Sequence, residues 1–320
     1  MITVTVDRFR LSRTFTISRG SKTEAQVLTV RVSRNGAQGW GECVPYARYG
    51  ETLDSVQAQI AALPPQIDRQ DLQAALPPGA ARNAVDCALW DLVAKQAGRR
   101  VWDLLGRPEP APAITAYTLS LDAPEVMQAQ AAENAWRPVL KIKLGTPDDM
   151  PRLEAVRRGA PKARIIVDAN EGWTAPVYAD LAPHLQRLGV ALVEQPLPAG
   201  QDEDLAHMAR PVAICADESC HDRASLPGLR GKYDVINIKL DKTGGLTEAL
   251  ALADAAHAAG FGLMVGCMVG SSLAMAPATL LTGGAAHVDL DGPLLLAEDR
   301  ANPLRYSTRG IHPPDRELWG

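Results

Sequence analysis

From Lys141 to Lys239 the chain repeats one pattern, a short apolar run that ends on a charged residue. PVL leads into Lys141-Ile142-Lys143, RIIV into Asp168, ALV into Glu194, VAICA into Asp217, and DVINI into Lys239. Counted from Lys143, these charged ends fall 25, 26, 23 and 22 residues apart. One strand with one crossover helix occupies about that length, so the spacing predicts consecutive β/α units. Right-handed crossovers repeated in this way close into a parallel barrel, an α/β architecture in which strand-end residues face one mouth. That mouth would hold three carboxylates flanked by lysines.

The rest of the chain frames this barrel. Alternating residues predict strands over 2–9, 12–18, 26–33 and 37–43, with Asn35-Gly36 as a type I′ hairpin signal between the last two. The polar segment 18–23 reads as an exposed, mobile loop, and 44–51 as a second loop. Helical patterns over 53–62, 68–75 and 79–97 follow, the last with an apolar stripe of Ala84, Cys87, Ala88, Leu92 and Val93 and a terminal Gly98. Strands followed by helices, without β/α alternation, indicate a separate α+β domain over 1–110. The barrel is expected over 111–298, starting at Ile114 with ITAYTLSL. A tail over 299–320 would pack back on the first domain.

Several classes of function are set aside by composition. Net charge is −4 and Lys and Arg form no basic run, so nucleic acid and anionic membrane surfaces are not expected partners. Asp7, Arg8 and Arg10 interrupt the stretch where a secretory signal would need an apolar core. The five cysteines are odd in number and form no CxxC pair, which reads as reduced thiols in a cytoplasmic protein. A homo-oligomer is left open.

The chemistry rests on the strand ends. Adjacent strands lie ~4.8 Å apart, so Asp168, Glu194 and Asp217 can converge on one ion. An all-carboxylate set with no His or Cys suits Mg²⁺ or Mn²⁺ rather than Zn²⁺. A salt bridge or helix cap explains any one of these acids, but three in register beside Lys143 and Lys239 point to a site. A lysine near a dication and other ammonium groups loses preference for its charged form and can act as a base. Lysines from the second and sixth strands would face each other across the mouth, one removing a proton and the other returning it. The metal would hold a substrate carboxylate and stabilise the enediolate left when its α-proton departs. A Schiff-base aldolase is a rival reading of the lysines, but it leaves the three acids without a role. A non-catalytic scaffold leaves all five residues unexplained.

Together KIK, VDAN, VEQP, ADES and IKLDKTGG resemble the enolase superfamily in its muconate-lactonizing subgroup, and residues 81–106 resemble the segment that joins cap to barrel there. The resemblance implies a modified TIM barrel, (β/α)₇β, with an α+β capping domain. It also implies one Mg²⁺ on Asp168, Glu194 and Asp217, with Lys143 and Lys239 as acid/base catalysts and Lys141 supporting them near the substrate carboxylate. Lysine bases with Mg²⁺ are the established pattern of that superfamily.

The subgroup hosts several reactions, so substrate has to come from other residues. Asp289 and Asp291, two apart on the last strand, face one side and would attract an ammonium group. This DxD resembles the α-ammonium site of dipeptide epimerases. ISRGSKTEA and PYARYGE resemble the capping loops of those acting on L-Ala-D/L-Glu, where Arg19 would clamp the glutamate side chain. Thr118, Cys267 and Ser271 are expected pocket walls. A dipeptide is therefore the expected small-molecule partner, with Mg²⁺-dependent epimerisation of L-Ala-D/L-Glu as the expected reaction; cycloisomerase, succinylbenzoate synthase or N-acylamino acid racemase chemistry, or epimerisation of a different dipeptide, are the alternatives.

Overall fold

The computed structural model of the chain describes residues 1–146 and 148–320. Its first unit is an antiparallel sheet of β1 (Ile2–Ile17), β2 (Gly20–Arg34) and β3 (Ala37–Cys43). β1 is one strand, not two, and absorbs the expected break as an irregularity between Arg10 and Phe15. Pairing continues through Phe15 with Lys22 to Ile17 with Gly20. The expected mobile loop is therefore mostly a hairpin arm with a two-residue tip, Ser18-Arg19. Asn35 and Gly36 both have positive φ and make the tight β2–β3 turn that the sequence signals.

Three helices follow: α1 (Leu53–Ala61), α2 (Arg69–Ala75) and α3 (Ala80–Ala97). α3 is buried on nearly every side, not along a single stripe, because it is wedged between the sheet and the barrel. Its polar residues are matched accordingly. Arg82 donates to the carbonyls of Thr243 and Gly244, Asn83 to Asp241, and Asp86 accepts from Thr247. On the other side β3 lies directly on the helix. A Cβ added at Gly39 would sit 2.0 Å from the Ala88 carbonyl oxygen, and one at Gly41 would sit 2.1 Å from that of Ala84. Only glycine permits that approach.

After the short α4 (Val101–Leu104), eight parallel strands form the second unit: β4 (Tyr117–Leu119), β5 (Val139–Lys143), β6 (Arg164–Asp168), β7 (Val190–Glu194), β8 (Ile214–Ala216), β9 (Val235–Ile238), β10 (Gly262–Gly266) and β11 (His287–Asp289). They pair in sequence order, and a hydrogen bond from Ala116 N to Val288 O, 2.8 Å, joins the first strand to the last. The result is an eight-stranded parallel (β/α)₇β barrel with an antiparallel-sheet cap.

Inside the barrel Ala116, Ile166, Leu192, Cys215, Val235 and Met264 form one apolar layer. Side chains alternate along a strand, so two residues beyond Ile166, Leu192 and Cys215 the chain points inward again, at Asp168, Glu194 and Asp217. The packed floor thus dictates where the acids face. At the C-terminus the Trp319 indole donates to Cys87 O, and Gly320 N to Asp91 of α3. No helix among the described residues is long and apolar enough to cross a membrane.

Candidate active site

The three strand-end acids and their lysines meet at the C-terminal mouth. Lys143 pairs in register with Asp168, and Asp168 with Glu194. Lys143 Nζ donates to Asp168 at 2.6 Å and Lys239 Nζ to Asp217 at 2.5 Å. Lys141, fully buried, lies 2.7 Å from Asp289, 2.7 Å from Glu194 and 3.1 Å from Asp168. It joins the three acids to the DxD. Lys242, one turn beyond Lys239, adds a bond to Asp217 at 2.6 Å.

These contacts set the proton affinities. Burial raises the Asp168 and Asp217 carboxyls, but the lysines outweigh it and hold both below the usual aspartate range. Glu194 goes the other way, pushed up to about 7 by burial and by Asp168. Lys239 is raised, because Asp217 and Glu194 outweigh its desolvation. The nearest charges to its ammonium are carboxylates; the lowering expected from the sequence is the effect of a dication held by those same carboxylates.

As placed, the ammonium groups separate the acids, and among the described residues no three Asp, Glu, His or Cys side chains close on a common point. The donor set nevertheless fits a hard dication. All three acids are carboxylates without solvent exposure to speak of, on adjacent strands. Glu194 Oε2 faces the Lys141 ammonium at 2.7 Å and has no hydrogen bond among the described residues, so it keeps acceptor capacity for a metal ion.

Above this cluster lies a cavity of about 380 Å³ between the barrel and the cap. Lys143, Lys239 and Asp217 reach it from below, and Cys267 from the β10 end. The β1–β2 hairpin and the 44–51 loop roof it. Lys141, Asp168, Glu194, Asp289 and Asp291 lie deeper. Asp289 Oδ1 has no hydrogen-bond partner, and Asp291, pushed up to about 7 by burial and Asp289, accepts from Thr118 N at 2.6 Å.

Besides Lys141, Asp289 and Asp291, which lie below the cavity, three expected substrate contacts are already engaged by other protein groups. Thr118 meets Asp291 and does not line the cavity. Ser271 is turned away from it: its hydroxyl bonds Glu42, its backbone N–H donates to the same carboxylate, and Arg300 donates to its oxygen. Arg19 is at the cavity, but its guanidinium is already committed to Glu218 (2.8 Å), Tyr46 (3.0 Å), Glu171 (3.1 Å) and the Asn170 carbonyl (2.6 Å). Sequence reasoning passed over Lys22, which lines the same cavity and has no ion-pair or hydrogen-bond partner among the described residues. It lay in the quoted ISRGSKTEA, opposite Phe15 in the hairpin. Gln195 and Asn237 were likewise inside quoted motifs. Gln195 accepts from Asp217 N at 2.9 Å, and Asn237 donates to Glu194 at 2.7 Å, so both fix carboxylate positions.

Residues 1–106 match the mandelate racemase / muconate lactonizing enzyme N-terminal domain, and residues 125–316 the enolase C-terminal domain-like family. The chain belongs to the enolase superfamily. Among members of that superfamily it is 48% identical to the L-Ala-D/L-Glu epimerase of Escherichia coli (strain K12), covering 93% of this chain and 95% of that one. It is 46% identical to the N-acetyl-D-glutamate racemase of a Pseudoalteromonas species, covering 92% and 95%. A crystal structure of an enolase family member from Agrobacterium tumefaciens, with homology to dipeptide epimerases and with sodium and L-Ala-L-Glu bound, superposes with a TM-score of 0.97. It is 54% identical and covers 100% of this chain and 99% of that one.

Proposed function

We propose that the chain is a Mg²⁺-dependent dipeptide epimerase that interconverts L-Ala-D-Glu and L-Ala-L-Glu by 1,1-proton transfer at the α-carbon of the C-terminal residue. The observation that carries this reading is that Lys143 and Lys239, on β5 and β9, reach one cavity from opposite sides of the barrel. Lys143 Nζ and Lys239 Nζ take and return the proton on the two faces of that carbon. Asp168, Glu194 and Asp217 would hold the Mg²⁺, which would supply Lewis acidity to stabilise charge gathering on the substrate carboxylate. Lys141 keeps these acids and Asp289 in one charge-balanced cluster.

Asp289 and Asp291 receive the substrate ammonium, and the free acceptor at Asp289 Oδ1 supports that role. The acidic side chain faces Lys22, a cavity cation with no ion-pair partner among the described residues, while Arg19 holds the hairpin in place. The similarity to epimerases acting on L-Ala-D/L-Glu supports the same substrate. The reaction serves recycling of murein peptides in the cytoplasm.

The similar N-acetylglutamate racemase marks the competing substrate, which carries no ammonium group. Chiral chromatography of parallel reactions with L-Ala-L-Glu and N-acetyl-L-glutamate separates the two. The dipeptide is expected to react ~10- to 100-fold faster in kcat/KM, because the N-acetyl compound would leave the buried Asp289 Oδ1 without a donor, at a cost of ~1–3 kcal/mol. Equal rates, or faster turnover of the N-acetyl compound, would overturn the dipeptide assignment.

A further inference from the structure

Directly after Asp168 the backbone makes an unusual turn. Asn170 and Glu171 both take left-handed φ values, +46° and +67°. Two consecutive non-glycine residues there are costly and persist only where their surroundings hold them. Here Asn170 N donates to Asp168 Oδ1 at 2.9 Å and Glu171 N to Gln195 O at 2.9 Å. The turn sends the Asn170 carbonyl and the Glu171 carboxylate out of the barrel toward the cap.

Both groups land on the cavity roof. Ser18 and Arg19 of the hairpin tip donate to Asn170 O, at 3.2 and 2.6 Å. Glu171 accepts from Arg19 at 3.1 Å and from the Arg48 fork, through Nε and Nη2, at 2.8 Å each. Ala199 N adds a fourth donor at 2.8 Å. Arg19 also donates to Tyr46, so the hairpin and the 44–51 loop are tied to each other as well as to the barrel. This differs from an ordinary surface ion pair, which contributes little. The Glu171 side chain is only 8% exposed, its partner Arg48 binds in bidentate geometry, and the two arginines come from two separate loops. Burial alone would raise the Glu171 carboxyl, but the Arg48 fork, the Ala199 amide and the arginine charges lower it below the usual glutamate value.

We propose that Glu171 is a positioning residue for substrate binding, a barrel carboxylate that latches both cavity-covering loops over the mouth, whereas Glu218 holds only the hairpin through Arg19. It touches neither the cavity's reacting lysines nor the three strand-end acids, and it acts by holding Arg19, Arg48 and, through them, Lys22 and Tyr46 where the substrate is enclosed. The kinetic arm of the test rests on the dipeptide reading above; the structural arm does not.

The variants are Glu171→Gln, which keeps the acceptor for Ala199 N but removes the charge, and Glu171→Ala. Hydrogen exchange is followed by mass spectrometry in the segments 15–24 and 44–52, with 163–168 of β6 as internal reference. Exchange in both roof segments is expected to speed up at least ~10-fold in both variants while β6 is unchanged, since both lose the charge-assisted bonds that tie these segments to the barrel. KM for L-Ala-L-Glu is expected to rise ~10-fold or more, with kcat within ~3-fold of wild type. Unchanged exchange in either roof segment overturns the latch. Faster exchange with an unchanged KM overturns its role in binding. Should the wild-type protein not turn over the dipeptide, the exchange result still decides the latch, and the failure lies with the proposed substrate. If the alanine variant does not fold, the glutamine variant carries the same comparison.

Discussion

Replacing Lys22 with Gln should change which side chain the enzyme accepts, and the size of the change follows from its surroundings. Lys22 stands beside Lys143 and Cys267 on the cavity wall, with its ammonium group 5.8 Å from the Phe15 ring centroid and no carboxylate partner among the described residues. Burial first, and then the Lys143 charge, lower its pKa to about 8. A carboxylate ~4 Å from such a cation gains ~4 kcal/mol at an effective dielectric of ~20. Desolvation of both groups takes back part of this, leaving the ~1.5–3 kcal/mol typical of a hydrogen bond to a charged group. Each 1.4 kcal/mol is about tenfold. Lys22→Gln should therefore lower kcat/KM for L-Ala-L-Glu by ~10- to 100-fold and leave that for L-Ala-L-Gln nearly unchanged. The ratio of the two substrates should also vary with pH. Lys22 is charged below about 8 and neutral above it, so the preference for Glu should fall as pH rises through about 8. Titration of Lys143, Lys239 and other groups shared by the two reactions cancels in the ratio. Equal losses on both dipeptides, or a ratio flat from pH 6 to 9.5, would refute the assignment and return the acidic side chain to Arg19.

Three other perturbations test separate links of the argument. Lys143→Ala and Lys239→Ala should each abolish epimerisation yet leave exchange of the α-proton from one enantiomer in deuterated water, measured by NMR; racemisation surviving in both variants would dismiss the two-base arrangement. Gly41→Ala forces a Cβ to within 2.1 Å of the Ala84 carbonyl oxygen and should cost ~1–3 kcal/mol or more in urea unfolding, because neither β3 nor α3 can step aside. Glu171→Gln should loosen both roof loops, with KM rising while kcat holds.

The barrel could be read from the sequence because its strands are short, buried and regularly spaced, and each ends in a charged residue that apolar packing cannot explain. Asp168, Glu194 and Asp217 were legible for the same reason that they converge, since each lies two residues beyond a barrel-floor side chain. The cap was harder to read. Alternation over 12–18 and polarity over 18–23 looked like a strand and a loop, because sequence pattern cannot reveal that Phe15 pairs with Lys22 across a two-residue tip. That register decides which cation is free. Arg19 was the more obvious candidate for a substrate carboxylate, but its acceptors, Glu171 and Glu218, lie more than 150 residues away in sequence. Ser271 is similar, since it follows β10 but bonds Glu42 of β3. Position on a strand can be inferred from local pattern; the partner of a polar side chain across two domains cannot.

The central claim is that this cavity moves a proton at the glutamate α-carbon of an alanyl-glutamate dipeptide. Proton NMR of L-Ala-L-Glu with the enzyme and Mg²⁺ in D₂O tests it directly. The account predicts that the glutamate α-proton signal disappears while resonances of L-Ala-D-Glu grow to equilibrium, with the alanine α-proton retained. An unchanged glutamate α-proton signal, with Mg²⁺ binding shown by calorimetry on the same preparation, would contradict it.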